Sequence, residues 1–68
     1  MKLYINGEER TFSSPLSVQA LLLQLGIDPR KVAVELNLEI VPKSIYDQAL
    51  VTDGDRLEVV HFIGGGVL

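Results

Sequence analysis

Residues 56–68 read RLEVVHFIGGGVL, and the interpretation of the whole fold starts from this stretch. Its first part is an apolar run rich in β-branched residues, which is typical of a strand, and it leads directly into three glycines. Glycine runs usually mark turns or linkers, but we expect no second element for these glycines to join, since only two residues of the sequence stand after them. A peptide without β-carbons is thin enough to enter a channel that excludes side chains, although fraying is the commoner fate of terminal residues. The rest of the chain has to decide between these two interpretations.

Composition limits the classes of protein to consider. A chain of 68 residues has room for one small domain, and its hydrophobic content of 47% is ordinary for a globular one. It has no cysteine and one histidine, which excludes disulfides and fits a reducing compartment. The net charge of −3 and scattered basic residues argue against a nucleic-acid binder, and no signal sequence or membrane span is evident. We expect a cytoplasmic monomer that binds no nucleic acid, membrane or metal.

The chain is predicted to open with a β-hairpin. Residues 2–6 alternate between polar and apolar side chains, as in a strand with one buried face. Asn6-Gly7 are the two residues that most readily take positive φ, as the centre of a type I′ turn requires. The chain then returns over residues 8–12, with Phe12 as a predicted core residue.

A helix is predicted after this hairpin. Ser17 stands at the N-cap position, and the apolar residues that follow recur at the spacing i, i+3, i+4 and i+7. These residues are Val18, Leu21, Leu22 and Leu25. Gly26 is predicted to end the helix, and Pro29 to prevent any restart nearby. In so small a domain, the helix has to bury this stripe in the core.

The second half of the chain reads mostly as strands. Residues 31–36 alternate as a third strand, residues 37–39 form a turn, and residues 40–41 form a short extended piece that Pro42 ends. Residues 44–50 are predicted to form one irregular helical turn. The side chains predicted to pack beneath that turn are Ile45, Tyr46 and Leu50.

Strands arranged around one helix predict an α+β domain, with a mixed sheet of four to five strands packed on one main helix. If the first and last strands pair in parallel at the sheet centre, the arrangement is the ubiquitin-like β-grasp. We assign residues 1–63 to this domain and residues 64–68 to a flexible glycine-rich C-terminal tail.

The side chains offer little chemistry of their own. His61 alternates with Leu57 and Val59 on the inward face of the last strand, so we interpret it as a partly buried structural histidine. The sequence Asp53-Gly54-Asp55 carries two carboxylates without the further spacing of a calcium loop, and it is interpreted as a tight turn. The glycines form no phosphate loop, because no helix follows them.

The outward face of the last strand is more informative. Val60 and Phe62 point away from the helix, where an uncovered sheet face should be polar. Tyr4 could join them. An exposed apolar cluster with a polar rim is typical of a protein interface, although side chains that flank a sheet edge would explain it equally well.

Several short segments of the chain carry a resemblance through their order and spacing. They are ING at 5–7, VAVELN at 32–37, EIVPK at 39–43, DGDRLEVV at 53–60 and FIGGG at 62–66. Together they resemble the bacterial thiamine-biosynthesis sulfur-carrier (ThiS) family over essentially the whole chain.

The resemblance implies a β-grasp carrier protein, not an enzyme, whose working group is its own C-terminal carboxylate. An E1-like adenylating enzyme would activate that carboxylate with ATP. Sulfur from a persulfide enzyme would then displace AMP and leave a thiocarboxylate, which thiazole synthase would use to build the thiazole ring of thiamine. The carrier itself would bind no cofactor.

The resemblance also implies the site residues. The thiocarboxylate would form on Gly66, next to Gly65. The partner-binding residues would be Gly64, Tyr4, Val60 and Phe62. The family pattern ends at glycine, whereas Val67 and Leu68 follow here. We therefore expect these two residues to be trimmed, or to be foreign to the native chain.

Two other functions remain open on the sequence. The small subunit of molybdopterin synthase shares the fold and the thiocarboxylate chemistry, but gives its sulfur to a pterin precursor. Residues 37–42 look more like the thiamine proteins. A plain ubiquitin-like interaction module, whose glycines do no chemistry, is the alternative from another class.

Overall fold

A computed structural model describes residues 1–62, and in it the first and last strands lie side by side in a mixed sheet. The elements are β1 (Lys2–Ile5), β2 (Glu8–Thr11), β3 (Leu16–Ser17), α1 (Val18–Gln24), β4 (Val32–Leu36), β5 (Glu39–Val41), β6 (Leu50–Val51) and β7 (Arg56–His61), with 3₁₀ turns at Pro29–Lys31 and Lys43–Ile45. Within these residues, the main sheet has the order β2-β1-β7-β4-β5 and is packed on α1, and β3 pairs with β6 separately. Only β1 and β7 are parallel among the described pairs. This confirms the predicted α+β class and the β-grasp arrangement.

Local sequence accounts for the first of the two hairpins, and a contact with β7 secures the second. Asn6 and Gly7 have φ values of 50° and 84°, so the predicted type of turn between β1 and β2 is confirmed. The turn between β4 and β5 uses the same region of the backbone, with φ of 51° at Asn37 and 72° at Leu38. A leucine rarely adopts positive φ. Here the Asn37 side chain secures the turn, because its Oδ1 accepts a hydrogen bond from the Arg56 amide at 3.0 Å.

The helix α1 has only seven residues, which is too short to be stable without its surroundings. Its N-terminal N–H groups are satisfied from three directions. The Ser17 hydroxyl accepts from the Ala20 amide at 3.0 Å, and the carbonyls of Ala49 and Tyr46 accept from the amides of Val18 and Gln19. The predicted N-cap is confirmed.

The helix also ends as predicted. Gly26 follows its last turn with φ of +76°, and the next amide, that of Ile27, donates to the carbonyl of Leu22 at 2.9 Å. This is the hydrogen bond of a Schellman motif, in which glycine takes the left-handed position without steric cost. The end of the helix is therefore set by local sequence alone.

The core lies between α1 and the inner face of the main sheet. Its fully or nearly buried members are Leu3, Ile5, Val18, Leu21, Leu22, Val32, Val34, Val41, Tyr46, Val51, Leu57 and Val59. The helical stripe is confirmed, with Leu25 half-buried at its end, and Phe12 also packs half-buried against the core. Among residues 1–62 no polar or charged residue other than Tyr46 is buried in this cluster. The Tyr46 hydroxyl donates to the carbonyl of Val32 at 3.1 Å.

Two expectations about the loops are wrong. Pro29 does not prevent a helical restart, because it begins a 3₁₀ turn that the Asp28 side chain caps, and proline is well suited to the first position of such a turn. In the segment after β5, Tyr46 is buried as expected, but Ile45 and Leu50 are exposed. The reason is that the 3₁₀ turn Lys43–Ile45 directs no side chain into the core, that Tyr46 enters it directly after the turn, and that β6 turns only Val51 inward.

The pairing of β1 with β7 is short and is extended by a side chain. Backbone hydrogen bonds run from the Tyr4 amide to the Asp55 carbonyl at 3.0 Å and from the Asn6 amide to the Leu57 carbonyl at 2.9 Å. The Asn6 side chain then takes the place of a further strand residue. Its Oδ1 accepts from the Val59 amide at 2.8 Å, and its Nδ2 donates to the Val59 carbonyl at 3.1 Å. β7 is thereby held on this side as far as Val59.

None of the helices in residues 1–62 is long and apolar enough to cross a membrane.

Substitution of two leucines on α1 tests which face of the helix is buried in the core. Leu21 is completely buried and Leu23 is 58% exposed. We expect Leu21→Ala to lower the free energy of unfolding by about 2–5 kcal/mol, because it removes buried methyl groups and leaves a cavity. Leu23→Ala should change it by less than about 0.5 kcal/mol. Urea unfolding of both variants measures this, and equal losses would contradict the described orientation of the helix.

Asn6 is expected to contribute to stability through two separable effects. Asn6→Gly removes both hydrogen bonds to Val59 and should cost about 1–3 kcal/mol in the free energy of unfolding. Asn6→Ala should cost roughly 1 kcal/mol more, because alanine is strained at positive φ. Urea unfolding of the two variants gives both values. A glycine variant as stable as the parent chain would show that the side-chain bridge is not important.

Candidate functional site

The outward side chains at the end of β7 are exposed and apolar, as expected. Leu57 and Val59 are buried against the helix, whereas Val60 is 60% and Phe62 is 42% exposed on the opposite face of the sheet. Within residues 1–62 no helix covers this face. We call it the open face.

The open face carries more apolar surface than sequence reasoning found. Ala33 lies directly opposite Val60 on the neighbouring strand β4, and Ile40 on β5 is exposed in the next row of the same face, opposite Glu35. We define Ala33, Ile40, Val60 and Phe62 as the apolar patch. The signal for Ile40 was present in the alternation of β5, whose next residue, Val41, is buried.

Tyr4 lies on the open face but not beside the apolar patch. It is opposite Arg56 at the start of β7, four residues before Val60, which corresponds to a separation of about 13 Å along the strand. The Arg56 guanidinium stacks over the Tyr4 ring at 4.7 Å from its centroid. The structure therefore brings Val60 and Phe62 together and separates Tyr4 from them.

His61 is exposed, so the expectation of a partly buried histidine is wrong. It does lie on the inner face, opposite Val32. However, a seven-residue helix is about 10 Å long, whereas the six residues of β7 extend about 20 Å. The helix therefore covers the strand only to Val59. Beyond this point His61 borders an open groove whose walls include Leu25, Ile27 and Arg10.

Basic side chains gather where the described part of the chain ends. The Lys43 ammonium lies 4.2 Å from the centroid of the Phe62 ring, and its Nζ donates to the Arg30 carbonyl at 2.8 Å. The Phe62 amide donates to the Lys31 carbonyl at 3.0 Å. A groove lined by Arg30, Lys31, His61 and Phe62 lies at this point. The basic residues are thus not as scattered as the sequence indicated, since three of the six meet here. We call Arg30, Lys31 and Lys43 the basic collar.

The acidic turn before β7 is structural. Asp55 Oδ2 accepts from the Thr52 amide at 2.8 Å, Asp55 Oδ1 accepts from Asn37 Nδ2 at 3.0 Å, and Asp53 Oδ1 accepts from the Lys2 amide at 2.6 Å. With Gly54 at φ of +89°, this confirms the predicted tight turn. Among the described residues, no three acidic, histidine or cysteine side chains come together as a metal site would require.

The predicted reactive residues lie outside the described residues. Gly64, Gly65, Gly66, Val67 and Leu68 all follow Phe62, and the assignment of residues 64–68 to a flexible tail also concerns this segment. These assignments stay predictions. What the structure gives is the surface from which this segment starts.

Asp28 is the acidic neighbour of the collar, and its titration is testable. Hydrogen bonds from the Arg30 guanidinium and amide hold the pKa of the Asp28 carboxyl at about 2, below its ordinary 3.8. Because the folded chain has the lower pKa, ionised Asp28 stabilises it above about pH 4, and this contribution is lost as the pH falls toward 2.

We expect the free-energy difference between the parent chain and Asp28→Asn to shrink over this pH interval, since asparagine keeps the cap but not the charge. Urea unfolding along a pH series measures it. A carbon-13 NMR titration should also show the pKa of Asp28 rising in Arg30→Gln. A carboxyl that titrates at its ordinary pKa in the parent chain would contradict the ion pair.

Comparison with known proteins shows to which family this chain belongs. The sequence model of the ThiS family matches residues 3–66. The chain is 70% identical over 66 residues to thiazole synthase of Paramagnetospirillum magneticum, covering 97% of this chain and 20% of that protein. It thus spans about a fifth of the length of that relative.

Two further relatives are matched along nearly their whole length. The sulfur carrier protein ThiS of Bacillus subtilis is 35% identical over 65 residues, with 94% of this chain and 98% of that protein covered. The crystal structure of the thiamine biosynthesis protein ThiS from Geobacter metallireducens superimposes with a TM-score of 0.85 at 38% identity, covering 97% of this chain and all of that one. Sequence and fold agree, and the chain belongs to the ThiS family.

Proposed function

We propose that this chain is a sulfur carrier of thiamine biosynthesis and that Gly66 carries the sulfur as a thiocarboxylate. The main observation behind the proposal is that β7 is held firmly in the sheet up to a point just before the glycine run. This strand lies in the interior of the sheet and is held by hydrogen bonds as far as Phe62, and the glycine run begins two residues later. A rigid strand followed by peptide without β-carbons suits delivery of a chain end into a narrow active site.

The chemistry takes place at a carboxylate, which is a poor electrophile at neutral pH. An adenylating enzyme of the E1 type would convert the Gly66 carboxylate and ATP into an acyl-adenylate and pyrophosphate. The terminal sulfur of an enzyme persulfide would attack the acyl carbon and release AMP. A thiol would then reduce the resulting acyl disulfide and leave the thiocarboxylate.

The Gly66 carboxylate has to be free before this sequence can begin. In the sequence, Val67 follows Gly66, so the peptide bond between them must first be hydrolysed. Val67 carries a branched side chain that would not fit a channel shaped for glycine. We therefore propose that Val67 and Leu68 are removed and that Gly65 and Gly66 enter the active sites of the partners, with Gly64 beside them.

The recipient of the sulfur would be thiazole synthase. Support comes from the relative in Paramagnetospirillum magneticum, a thiazole synthase of which a fifth matches this chain. The partners would recognise the apolar patch, with Val60 and Phe62 nearest to the glycine run. Tyr4, about 13 Å away, would contact only a partner whose surface extends along the open face.

We further propose that the chain acts as a co-substrate rather than as a catalyst. It contains no cysteine, and its one histidine, His61, is exposed at the end of a strand. A carrier without a thiol has to hold sulfur elsewhere, and ATP would be bound by the adenylating partner alone. Since ATP, persulfide enzymes and reducing thiols meet in the cytoplasm, the cycle would operate there.

Intact-mass analysis tests the proposal directly. Chain ending at Gly66 is incubated with the adenylating enzyme, ATP, a persulfide-forming desulfurase with cysteine, and a thiol reductant. We expect replacement of one oxygen by one sulfur, and no change when ATP is omitted. Gly65→Leu should abolish the change while the free energy of unfolding stays the same.

The apolar patch is tested in the same assay with a matched pair of variants. Val60→Asp should lower the rate of loading at limiting carrier by roughly tenfold or more, because it puts a charge into a contact surface. Leu23→Asp is equally exposed but lies on the helix, on the other side of the sheet, and should have less than about a twofold effect.

A mature chain that keeps Leu68 and still supports thiamine synthesis would refute the proposed reactive terminus. Rescue of a molybdenum-cofactor auxotroph rather than a thiamine auxotroph would show that the recipient is the pterin pathway. A chain that binds its partners but never gains sulfur would be the plain interaction module.

A further inference from the structure

The basic collar surrounds the last described residue of the chain. Lys43 stacks on one side of the Phe62 ring, and the backbone of Lys31 is hydrogen-bonded to the Phe62 amide. The Lys43 Nζ also donates to the carbonyl of Arg30, and Arg30 and Lys31 line a groove together with Phe62. Phe62 belongs to the apolar patch as well, so the collar and the patch form one continuous surface.

The sign of the collar is opposite to that of the rest of the molecule. The chain has nine acidic and six basic residues and a net charge of −3, yet half of its lysines and arginines stand at this one place. A separation of positive and negative charge of this kind makes the protein a dipole, and a dipole is oriented by the field of a charged partner during their encounter.

Only one of the three collar charges is engaged in an ion pair within residues 1–62. The Arg30 side chain is 86% exposed and pairs with Asp28 at 2.9 Å. Among residues 1–62 neither Lys31 nor Lys43 forms an ion pair with a carboxylate. Two unpaired positive charges therefore stand beside the apolar patch. Because exposed cations contribute little to stability, the fold itself does not require them.

We propose that the basic collar docks an acidic surface on the adenylating enzyme, with Lys31 and Lys43 facing carboxylates at the mouth of the channel that receives the glycine run. This inference rests on the proposed function and names the chemistry of the partner. Three cations on an acidic protein are too few to neutralise a run of nucleic-acid phosphates. The cationic side chains stand on an open surface, which fits a second protein surface better than an enclosed small anion.

The first experiment compares two variants with the same net charge. Lys31→Glu/Lys43→Glu reverses the collar, whereas Lys2→Glu/Arg10→Glu makes the same change on β1 and β2. Stopped-flow association with the adenylating enzyme is followed over a salt series. We expect the collar variant to associate at least about tenfold more slowly at low salt, with the difference lost at high salt, and the control to slow by less than about twofold.

We expect Lys31→Arg/Lys43→Arg to associate as fast as the parent chain, because this variant keeps the positive charge of the collar. Lys31→Glu alone leaves the contact between Lys43 and Phe62 intact and should still slow association, which guards against a purely structural effect of the Lys43 change. Urea unfolding confirms that each variant is folded. Equal slowing by the collar variant and the control would overturn the proposal, because net charge and not the collar would then steer the encounter.

A second experiment does not depend on sulfur chemistry. The nitrogen-15-labelled chain is titrated with decaglutamate and, as a neutral control, with decaglutamine. We expect salt-sensitive shifts of the amides at residues 30, 31, 43, 61 and 62 with decaglutamate only. Shifts that are absent, spread over the whole molecule or equal for both peptides would overturn the collar as an acid-binding surface.

The two experiments separate failure of the collar from failure of the carrier function. If decaglutamate binds at the collar but no sulfur is ever loaded, the sulfur-carrier proposal fails and the acid-binding surface stands. If sulfur is loaded normally but the collar variant associates as fast as the control, the collar proposal alone fails.

Discussion

The parallel pairing of β1 with β7 joins parts of the chain that are more than fifty residues apart, and it fixes one side of the strand that carries the candidate site. Two backbone hydrogen bonds and the bidentate amide of Asn6 hold one edge of β7 as far as Val59. β4 holds the other edge along its whole length. The strand that leads to the glycine run is therefore an interior strand, fixed on both sides, rather than a free edge.

This placement of β7 gives its two faces different roles. One face is buried by α1, but the helix is only seven residues long and covers the strand no further than Val59. The other face is open and carries Val60 and Phe62. An apolar patch and a basic collar thus stand together beside the point from which the glycine run starts. Such a surface fits the proposed function, in which the chain presents part of itself to partner enzymes.

Features encoded by neighbouring residues could be predicted from the sequence. The turn at Asn6-Gly7, the Ser17 cap and the Gly26 stop each depend on the φ preference or side-chain oxygen of one residue, so no distant partner is needed. The burial of the helical stripe also followed, because a small domain has only one place to put it. The exposure of Ile45 and Leu50 could not be predicted in this way. The exposure of Leu50 depends on how β6 pairs with β3, which lies more than thirty residues earlier in the chain.

For the candidate site, three features could be recognised without a structure: the ThiS-like pattern of segments, the glycine run, and the alternation that turns Val60 and Phe62 away from the core. These properties are set by residue type and spacing. The folded structure was needed to show that the Asn6 side chain bonds to Val59 and that Tyr4 lies beside Arg56. It was also needed to show that His61 is exposed and that Lys43 contacts Phe62 and Arg30. The physical reason is that each of these contacts joins residues on different elements, and their distances are fixed only when the sheet and helix pack together.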